Sequence, residues 1–318
     1  MRFGWVLVAA MAAGWSMTTQ STAADSIAVR LGTATPGGGF PVYGDALIAA
    51  IRTTDPGLDI QPMNTKGSAE NVPLLEAGKL DIALVQGESA YEALNGIGRA
   101  PANLRIFTAM YSSPGMFVVQ ANSPVRSIAD LKGKPVAFGA AGSGLVILAR
   151  YVLDGLGLDQ NKDFGAIFLE KAGDGPAMVA DGRAAALWGG GIGWPGFAAV
   201  ARAPGGARFI VPTADEIRRI QARHPFLKTL VVPANTYPGQ TEPMTSVGSW
   251  SFVMMRPDLD PALAARLAKA LHKAEAEIAR LLPQAAETTA RNTISALPRA
   301  ELLHPGVASY FRKAGLMQ

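Results

Sequence analysis

The sequence predicts an α/β protein of two lobes with mostly parallel sheets, and three observations support this. From residue 25 onward, apolar strand-like runs alternate with helix-like segments, and strands separated by helices need crossover connections, which build parallel sheets. The chain has 318 residues, 49% of them hydrophobic, which suits roughly two domains of about 150 residues. A fresh strand–helix series begins at "DLKGKPVAFG", and "SVGSWSFVMMRPDLDPALAARL" indicates a return to the first lobe. We therefore expect the chain to cross between the lobes near residues 112–120 and 240–250.

Residues 1–24 have the composition of a secretory signal peptide. Arg2 precedes the apolar run "FGWVLVAAMAAGW", and polar and small residues follow as far as Ala24, a pattern typical of signal peptides cleaved after small residues. The apolar run is shorter than the ~20 residues of a membrane-spanning helix. The sequence contains no cysteine, so it has no residue for lipoprotein attachment. We expect cleavage after Ala23 or Ala24 and a mature protein that is free in the periplasm, without a lipid anchor.

The remaining chain divides into three stretches in this interpretation. Residues 25–116 are predicted to form the first part of lobe I, and residues 117–247 to form lobe II. Residues 248–318 are predicted to return to lobe I and to supply C-terminal helices.

Three local predictions refine this division. Residues 105–120 have the pattern of two extended segments broken at Ser113-Pro114-Gly115, since proline and glycine interrupt strands. Three prolines after about residue 214 indicate an irregular segment. The sequence "PALAARLAKALHKAEAEIARLL" (261–282) has the spacing of one long amphipathic helix.

Enzyme and nucleic-acid signals are weak. The net charge is only +4 with no long basic block, which disfavours nucleic acid as a partner. The motif "GIGWPG" (191–196) resembles a dinucleotide fingerprint, but it lacks an acidic residue at the right distance. The serine in "AAGSGL" (140–145) lacks the outer glycines of a nucleophile elbow. The only histidines are His224, His272 and His304, which suggest no triad or metal pair, so we expect a binding protein with no cofactor and no metal.

The strongest binding signal is the glycine-rich loop of residues 33–40, which joins a strand to a helix. Tyr43, Leu47 and Ile51 recur every four residues and lie on one face of that helix. Glycines at such a junction let backbone N–H groups approach an anion at the positive end of the helix dipole. The alternative is a tight turn that requires glycine for its backbone conformation.

Other loops share this position before a helix or turn, at the ends of strands that line the ligand crevice in open α/β sheets. They are "KGSAENV" (66–72), Gln86 and "AAGSGL" (140–145). Ser143 could donate to a carboxylate or could serve only as a helix N-cap. Asn71 offers both a donor and an acceptor, whereas Glu70 is expected to cap its own helix.

Aromatic rings could form the walls of such a cleft, although Trp188 could equally pack in the core. The predicted ligand-binding residues are Thr35, Gly37, Gly38, Gly39, Phe40, Tyr43, Gly67, Ser68, Asn71, Gln86, Tyr111, Gly142, Ser143, Gly144 and Trp188.

Six segments, in order along the chain, resemble the TAXI family, the extracytoplasmic solute receptors of one class of TRAP transporters. They are "GTATPGGGFPVYGDAL", "KGSAENVPLLEAGKLDIALVQGESAYEALNG", "LKGKPVAFGAAGSG", "AAALWGGG", "HPFLKTLVVPANTYPGQ" and "LHPGVASYFRKAG". The resemblance implies a two-lobe periplasmic binding protein type II fold with crossing hinge strands. It also implies capture of a small carboxylate, such as glutamate or 2-oxoglutarate, and delivery to a TRAP membrane permease driven by an ion gradient, with the receptor acting as a monomer.

The chain departs from this family in two places. Family members usually carry Gly-Gly-Thr-Tyr-Tyr in the first loop, where this chain has Gly38-Gly39-Phe40-Pro41-Val42. Lys66 stands where the family more often has a small residue, and it is either a surface lysine or a cation for a second carboxylate. Two alternatives to a transport receptor stay open, namely a ligand sensor for a signalling partner and an exported enzyme.

Overall fold

Strands and helices alternate along most of the chain. The computed structural model describes Met1 and residues 26–318. Its strands are β1 (Ile27–Gly32), β2 (Leu58–Met63), β3 (Ile82–Val85), β4 (Arg105–Gln120), β5 (Pro135–Ala140), β6 (Gly165–Leu169), β7 (Ala186–Gly190), β8 (Ala207–Ile210), β9 (Lys228–Val232) and β10 (Met244–Met255). Its α-helices are α1 (Gly39–Thr54), α2 (Ser68–Glu76), α3 (Gly87–Asn95), α4 (Gly144–Gly155), α5 (Gly175–Ala180), α6 (Pro195–Arg202), α7 (Ala214–Arg223), α8 (Pro261–Lys273), α9 (Glu275–Leu281), α10 (Ala290–Ala296) and α11 (Pro305–Lys313).

The strands follow one hydrogen-bonded path in the order β2-β1-β3-β10-β4-β7-β5-β6, with β8 beside β4 and β9 beside β10. Within lobe I, β1 is parallel to β2 and β3. Within lobe II, β5 is parallel to β6 and β7. Every residue of β3 and of β7 is buried, as expected for strands covered by helices on both faces. The predicted two-lobe α/β architecture is confirmed.

Two long antiparallel strands connect the lobes. The first half of β4 pairs with β10, and its second half, from Gly115 onward, pairs with β7 and β8. The predicted break at Ser113-Pro114-Gly115 is wrong, because β4 runs without interruption through these residues. Pro114 is tolerated there opposite Gly248, whose backbone lies so close to the Ser113 carbonyl that a Cβ would be 2.0 Å from its oxygen. The limits of the lobes at residues 116/117 and 247/248 stay a prediction.

Each lobe has apolar clusters of its own on both faces of its sheet.

An ion-pair network also stabilises lobe I. The carboxylate of Asp81 accepts hydrogen bonds from the Arg30 and Arg256 guanidinium groups at 2.9–3.1 Å. Burial alone would raise the pKa of Asp81, but the hydrogen bonds from these two arginines hold it below its ordinary value.

Two further predictions are corrected in the second half of the chain. The segment after residue 214 contains α7 and β9 rather than irregular structure, and α7 begins with a capping box between Thr213 and Glu216. The predicted long helix at 261–282 is two helices, because Ala274 leaves the helical conformation between α8 and α9.

The predicted signal peptide and its cleavage site lie outside the described residues. Among the residues that are described, no helix is both long and apolar enough to cross a bilayer.

Candidate functional site

A cleft with about 590 Å³ of atom-free space lies between the lobes. Both lobes and both crossing strands contribute to it. It is lined by Ala34, Thr35, Gly38, Gly39, Phe40, Lys66, Gly67, Ser68, Gln86, Tyr111, Ser113, Gly139, Ala140, Ser143, Gly144, Leu145, Ala172, Gly190, Trp194 and Ser251.

Five helices begin at this cleft; α6, preceded by Trp194, starts with Pro195 and offers no N–H there, and the other four have no side-chain cap. The residues before α1, α2, α3 and α4 are Gly38, Gly67, Gln86 and Ser143, and no side chain of these four makes a capping hydrogen bond. The first N–H groups of a helix have no partner within the helix. The N-terminal ends also carry the positive end of the helix dipole. The cleft therefore presents several hydrogen-bond donors in a positive electrostatic environment.

Two side chains in the cleft wall have buried polar atoms without a hydrogen-bond partner among the described residues. They are the Nε2 of Gln86, whose side chain is nine-tenths buried or more, and the Oγ of Ser143. The Oγ of Ser68 accepts the backbone N–H of Gln86 at 3.0 Å, which leaves its proton free to be donated. Because an unmade hydrogen bond of a buried polar group is unfavourable, these atoms indicate a place that a polar ligand fills.

The lobes contact each other on both sides of the cleft. The backbone N–H of Ala69 donates to the Gly142 carbonyl at 3.2 Å, and that of Ala172 donates to the Thr35 Oγ1 at 3.3 Å. A Cβ on Gly144 would lie only 2.4 Å from the Cβ of Gln86 in the other lobe. The structure is therefore a closed form in which glycine allows the lobes to approach.

A second set of contacts between the lobes lies along α3 and α4, beyond the cleft. The Glu92 carboxylate accepts hydrogen bonds from the Arg150 guanidinium and from the Tyr151 hydroxyl, the latter at 2.9 Å. The rings of Tyr91 and Phe226 stack with centroids 3.9 Å apart. These contacts hold the closed form from outside the cleft.

Aromatic rings form one wall of the cleft. A Cβ on Gly39 would lie 3.0 Å from the Trp194 ring and 3.6 Å from the Tyr111 hydroxyl, so these rings flank the start of α1. Burial and the neighbouring Tyr43 raise the pKa of Tyr111 far above its ordinary value. The Tyr111 hydroxyl is therefore protonated at every physiological pH and can donate a hydrogen bond.

The described lining of the cleft includes a basic residue but no acidic one. Lys66 lines it, whereas no Asp or Glu appears among the lining residues. The carboxyl of Glu88 is fully buried beside the cleft and accepts the Ser249 hydroxyl at 2.7 Å. Burial raises the pKa of Glu88 to about 7, against smaller opposing effects of Ser249 and Gln86. The cleft therefore favours a ligand that is negative or neutral.

Ten of the predicted ligand-binding residues line the cleft. They come from the loops before α1, α2 and α4, from the end of β3 and from β4, namely Thr35, Gly38, Gly39, Phe40, Gly67, Ser68, Gln86, Tyr111, Ser143 and Gly144.

Five predicted residues lie elsewhere. Asn71 is fully buried, and its amide is used by the carbonyls of Thr33 and Leu84 and by the Thr65 hydroxyl. Trp188 packs in the core of lobe II, where its indole N–H donates to the Leu145 carbonyl.

The other three predicted ligand-binding residues that do not line the cleft make structural contacts instead. Tyr43 is buried behind Tyr111, and its hydroxyl pairs with that of Thr288 at 3.1 Å. Gly37, with a φ of 82°, packs against Gly173 of the other lobe. Gly142 contributes to the lobe contact through its carbonyl rather than to the cleft wall.

Several lining residues have no signal in the local sequence. Ser113 and Ser251 face each other across β4 and β10 with hydroxyls 3.1 Å apart, a juxtaposition that only strand register reveals. Trp194 is recognisable as a ring that could form a cleft wall, but its position depends on the start of α6. Lys66 lines the cleft but is exposed, so the surface-lysine and cation interpretations both stay open.

The cleft, the two lobes and the crossing strands define the two-lobe fold of type II periplasmic binding proteins. Within residues 26–318, no cluster of three or more His, Cys, Asp or Glu side chains could hold a metal ion. Residues 31–315 match the sequence profile of the NMT1-like family, and the chain belongs to that family. The narrower assignment to TAXI receptors stays a prediction.

Solved structures of binding proteins share the fold. The periplasmic sulfonate-binding protein SsuA from Methylobacillus flagellatus KT is 15% identical with a TM-score of 0.52, over 92% of this chain and 96% of that one. A periplasmic transporter protein is 13% identical with a TM-score of 0.54, over 81% and 87% of the two chains. Tv2483 bound to L-arginine is 11% identical with a TM-score of 0.51, over 81% and 91%. These likenesses show that the chain shares its fold with these proteins.

Proposed function

We propose that this chain is an extracytoplasmic receptor that captures a small anionic solute between its two lobes and delivers it to a membrane permease. The observation that carries the proposal is the set of uncapped helix N-termini at the cleft, together with the unpartnered polar atoms of Gln86 and Ser143. Helix N-termini with free N–H groups are natural anion sites. Carboxylates and sulfonates are the anion classes that fit this donor set.

Closure of the lobes couples binding to delivery in this proposal. A ligand that touches Ser68 and Gln86 on one lobe and Ser143 on the other binds the closed form better than the open form. A ligand shifts a conformational equilibrium only by such a difference in affinity. The permease then recognises the closed form by the arrangement of the two lobes. The proposed lobe limits are residues 25–116 with 248–318, and residues 117–247.

Two observations bear on the type of permease, and they point to different transporter classes. The resemblance to TAXI receptors favours a TRAP permease driven by an ion gradient. The solved structure of SsuA belongs to the ABC transporter class, but at its identity it speaks for the fold alone. We therefore propose a TRAP permease, and uptake by membrane vesicles tests it. An ion gradient without ATP should support uptake in the presence of this protein, whereas strict dependence on ATP would assign an ABC permease.

Calorimetry and melting curves on the mature protein test the proposed anion class. A panel of small carboxylates, sulfonates, neutral sugars and polyamines should yield binding only among the anions. Small-angle scattering with a saturating anion should show a smaller radius of gyration if the open form predominates without ligand. Binding of a sugar or a polyamine with no binding of any anion would contradict the proposal.

A further inference from the structure

We infer, on the basis of the proposed function, that the cleft binds small acids without an ammonium group, such as 2-oxo acids or simple sulfonates, and rejects the matching amino acids. The polar groups at the meeting point of α2, α3 and α4 offer donors for an anion. No carboxylate lines the described cleft to neutralise an ammonium group.

The donors converge from both lobes. A Cβ on Gly144 would lie 3.1 Å from the Ser68 Oγ and 3.0 Å from the Ser89 Oγ, so the start of α4 lies directly against these hydroxyls. The hydroxyl of Ser89 is also buried without a partner among the described residues. Lys66 lies at the same end, because its backbone contacts Gly142. In this proposal a carboxylate or sulfonate bound beside these groups receives hydrogen bonds from neutral donors, with the exposed Lys66 on the same rim.

An ammonium group on the ligand would find no anionic side chain among the described residues that line the cleft. A buried cation without an anionic partner loses its hydration and gains little in return. The carboxyl of Glu88 is buried beside the cleft without lining it; one of its oxygens accepts the Ser249 hydroxyl, and the other has no partner among the described residues. Burial raises its pKa to about 7, so it is only partly ionised near neutral pH. Because Glu88 does not line the cleft, it is not placed to pair directly with an ammonium group on a ligand.

The aromatic side of the cleft agrees with this selection. The Tyr111 hydroxyl and the Trp194 ring flank Gly39, and the hydroxyl stays protonated. A keto or sulfonate oxygen accepts a hydrogen bond from that hydroxyl, and the ring wall accommodates a short apolar chain. An ammonium group, which only donates hydrogen bonds, would compete with the Tyr111 proton.

Matched pairs of acids test the inference by calorimetry at pH 7.5. The pairs are pyruvate and alanine, 2-oxoglutarate and glutamate, and ethanesulfonate and taurine, each differing in the presence of the ammonium group. In every pair that binds, the member without ammonium should bind at least tenfold more tightly, which corresponds to about 1.4 kcal/mol. Equal or tighter binding of an amino acid or taurine would overturn the inference while leaving the proposed receptor function intact. Binding of neither member of any pair, with binding of a sugar or polyamine, would overturn both.

A variant separates the two interpretations of Glu88. Glu88→Gln keeps the shape of the side chain and removes its charge, so the preference within each pair should be unchanged. A selective loss of glutamate or alanine affinity in this variant would show that Glu88 serves an ammonium group, and would overturn the inference. Lys66→Gln should weaken the dianion 2-oxoglutarate more than the monoanion pyruvate, and Lys66→Arg should restore it. Equal weakening of both would show that Lys66 does not meet a second charge.

Discussion

Four helices that start at the cleft and four that start elsewhere differ at their N-termini, although α5 and α9, which start away from the cleft, also lack side-chain caps. Thr213, Asp260, Thr289 and His304 each accept a backbone N–H at the start of α7, α8, α10 and α11. The residues before α1, α2, α3 and α4 make no such bond with their own side chains. Ser143 has a hydroxyl suited to capping, yet that hydroxyl faces Gly139 in the cleft wall and makes no bond. Stability is thus supported by caps at the periphery, while the same donors are left for a ligand at the centre.

The largest effect should come from placing a methyl group at a cleft-side helix start. Gly144→Ala would put a Cβ 2.4 Å from the Gln86 Cβ, and the lobes could not close around a ligand. Because the Gly144 backbone is helical and the clash is with the other lobe, the free protein should melt at the same temperature. Anion affinity measured by calorimetry should fall more than about 100-fold, which is 2.7 kcal/mol or more.

The matched control for this variant is Gly173→Ala, at another contact between the lobes. Its Cβ would lie 3.4 Å from the Gly37 Cα, an ordinary packing distance, so affinity should change little. Full affinity in Gly144→Ala would show that tight contact between α4 and Gln86 is not needed for binding.

The next largest effect concerns the pH dependence of stability. It is predicted by comparing the glutamates in the first turns of α3, which starts at the cleft, and α7, which starts outside it. Glu216 of α7 is half-buried and accepts the Thr213 N–H, whereas Glu88 of α3 is fully buried and its pKa is raised from 4.5 to about 7. With its folded-state pKa raised, Glu88 stabilises the fold fully below about pH 4.5, and this contribution is lost as the pH rises through about 7. Relative to Glu88→Gln, the wild type should lose about 3 kcal/mol of unfolding free energy across that interval.

Urea unfolding at several pH values from 4.5 to 8 checks this difference. Parallel curves for the wild type and Glu88→Gln would contradict the raised pKa. Glu216→Gln is the control, and its curve should stay parallel to the wild type above pH 5.5.

Ser143→Ala should weaken anion binding without destabilising the protein. The hydroxyl makes no hydrogen bond with any of the described residues, so its removal should leave the fold unaffected. It should forfeit one charge-assisted hydrogen bond to the ligand, roughly 1.5–3 kcal/mol or about 10- to 100-fold in affinity. Calorimetry beside a melting curve measures both quantities. A lower melting temperature with unchanged affinity would show that Ser143 is an ordinary cap.

Thr213→Ala should show the reverse pattern and the smallest effect. Loss of the capping box at α7 should reduce the unfolding free energy by about 1 kcal/mol and leave anion affinity unchanged, because Thr213 lies outside the cleft. Chemical unfolding and calorimetry on the same sample provide the measurement. A loss of anion affinity in Thr213→Ala would contradict the distinction between helix starts that serve the ligand and helix starts that only stabilise the fold.

Sequence reasoning located the cleft where its signals are local. The loops before α1, α2 and α4 each combine a strand end, glycines and a helix start within ten residues, and residues from all three line the cleft. Asn71 shows why the rest was missed. Its predicted role as a ligand contact depended on a free amide, but the carbonyls of Thr33 and Leu84, distant in sequence, occupy that amide.

Strand register sets another limit on what can be predicted from the sequence alone. The serines at positions 113 and 251 meet because β4 and β10 pair antiparallel across 138 residues of sequence. The predicted break in β4 failed for the same reason, since Pro114 is accommodated only by its partner Gly248. Trp188 was assigned to either the core or a cleft wall, and only the packing of lobe II decides for the core.

The position of β10 has a consequence for how the chain folds as it is made. This strand fills the place between β3 and β4, although its residues are synthesised long after both. Until Met255 has left the ribosome, the two earlier strands lack their common neighbour, and the first lobe cannot finish its sheet. Pairing of such distant segments is slow, because a long loop must be closed before it is stabilised. Completion of the first lobe is thereby postponed until most of the polypeptide exists, whereas β5, β6 and β7 of the second lobe can pair without β10.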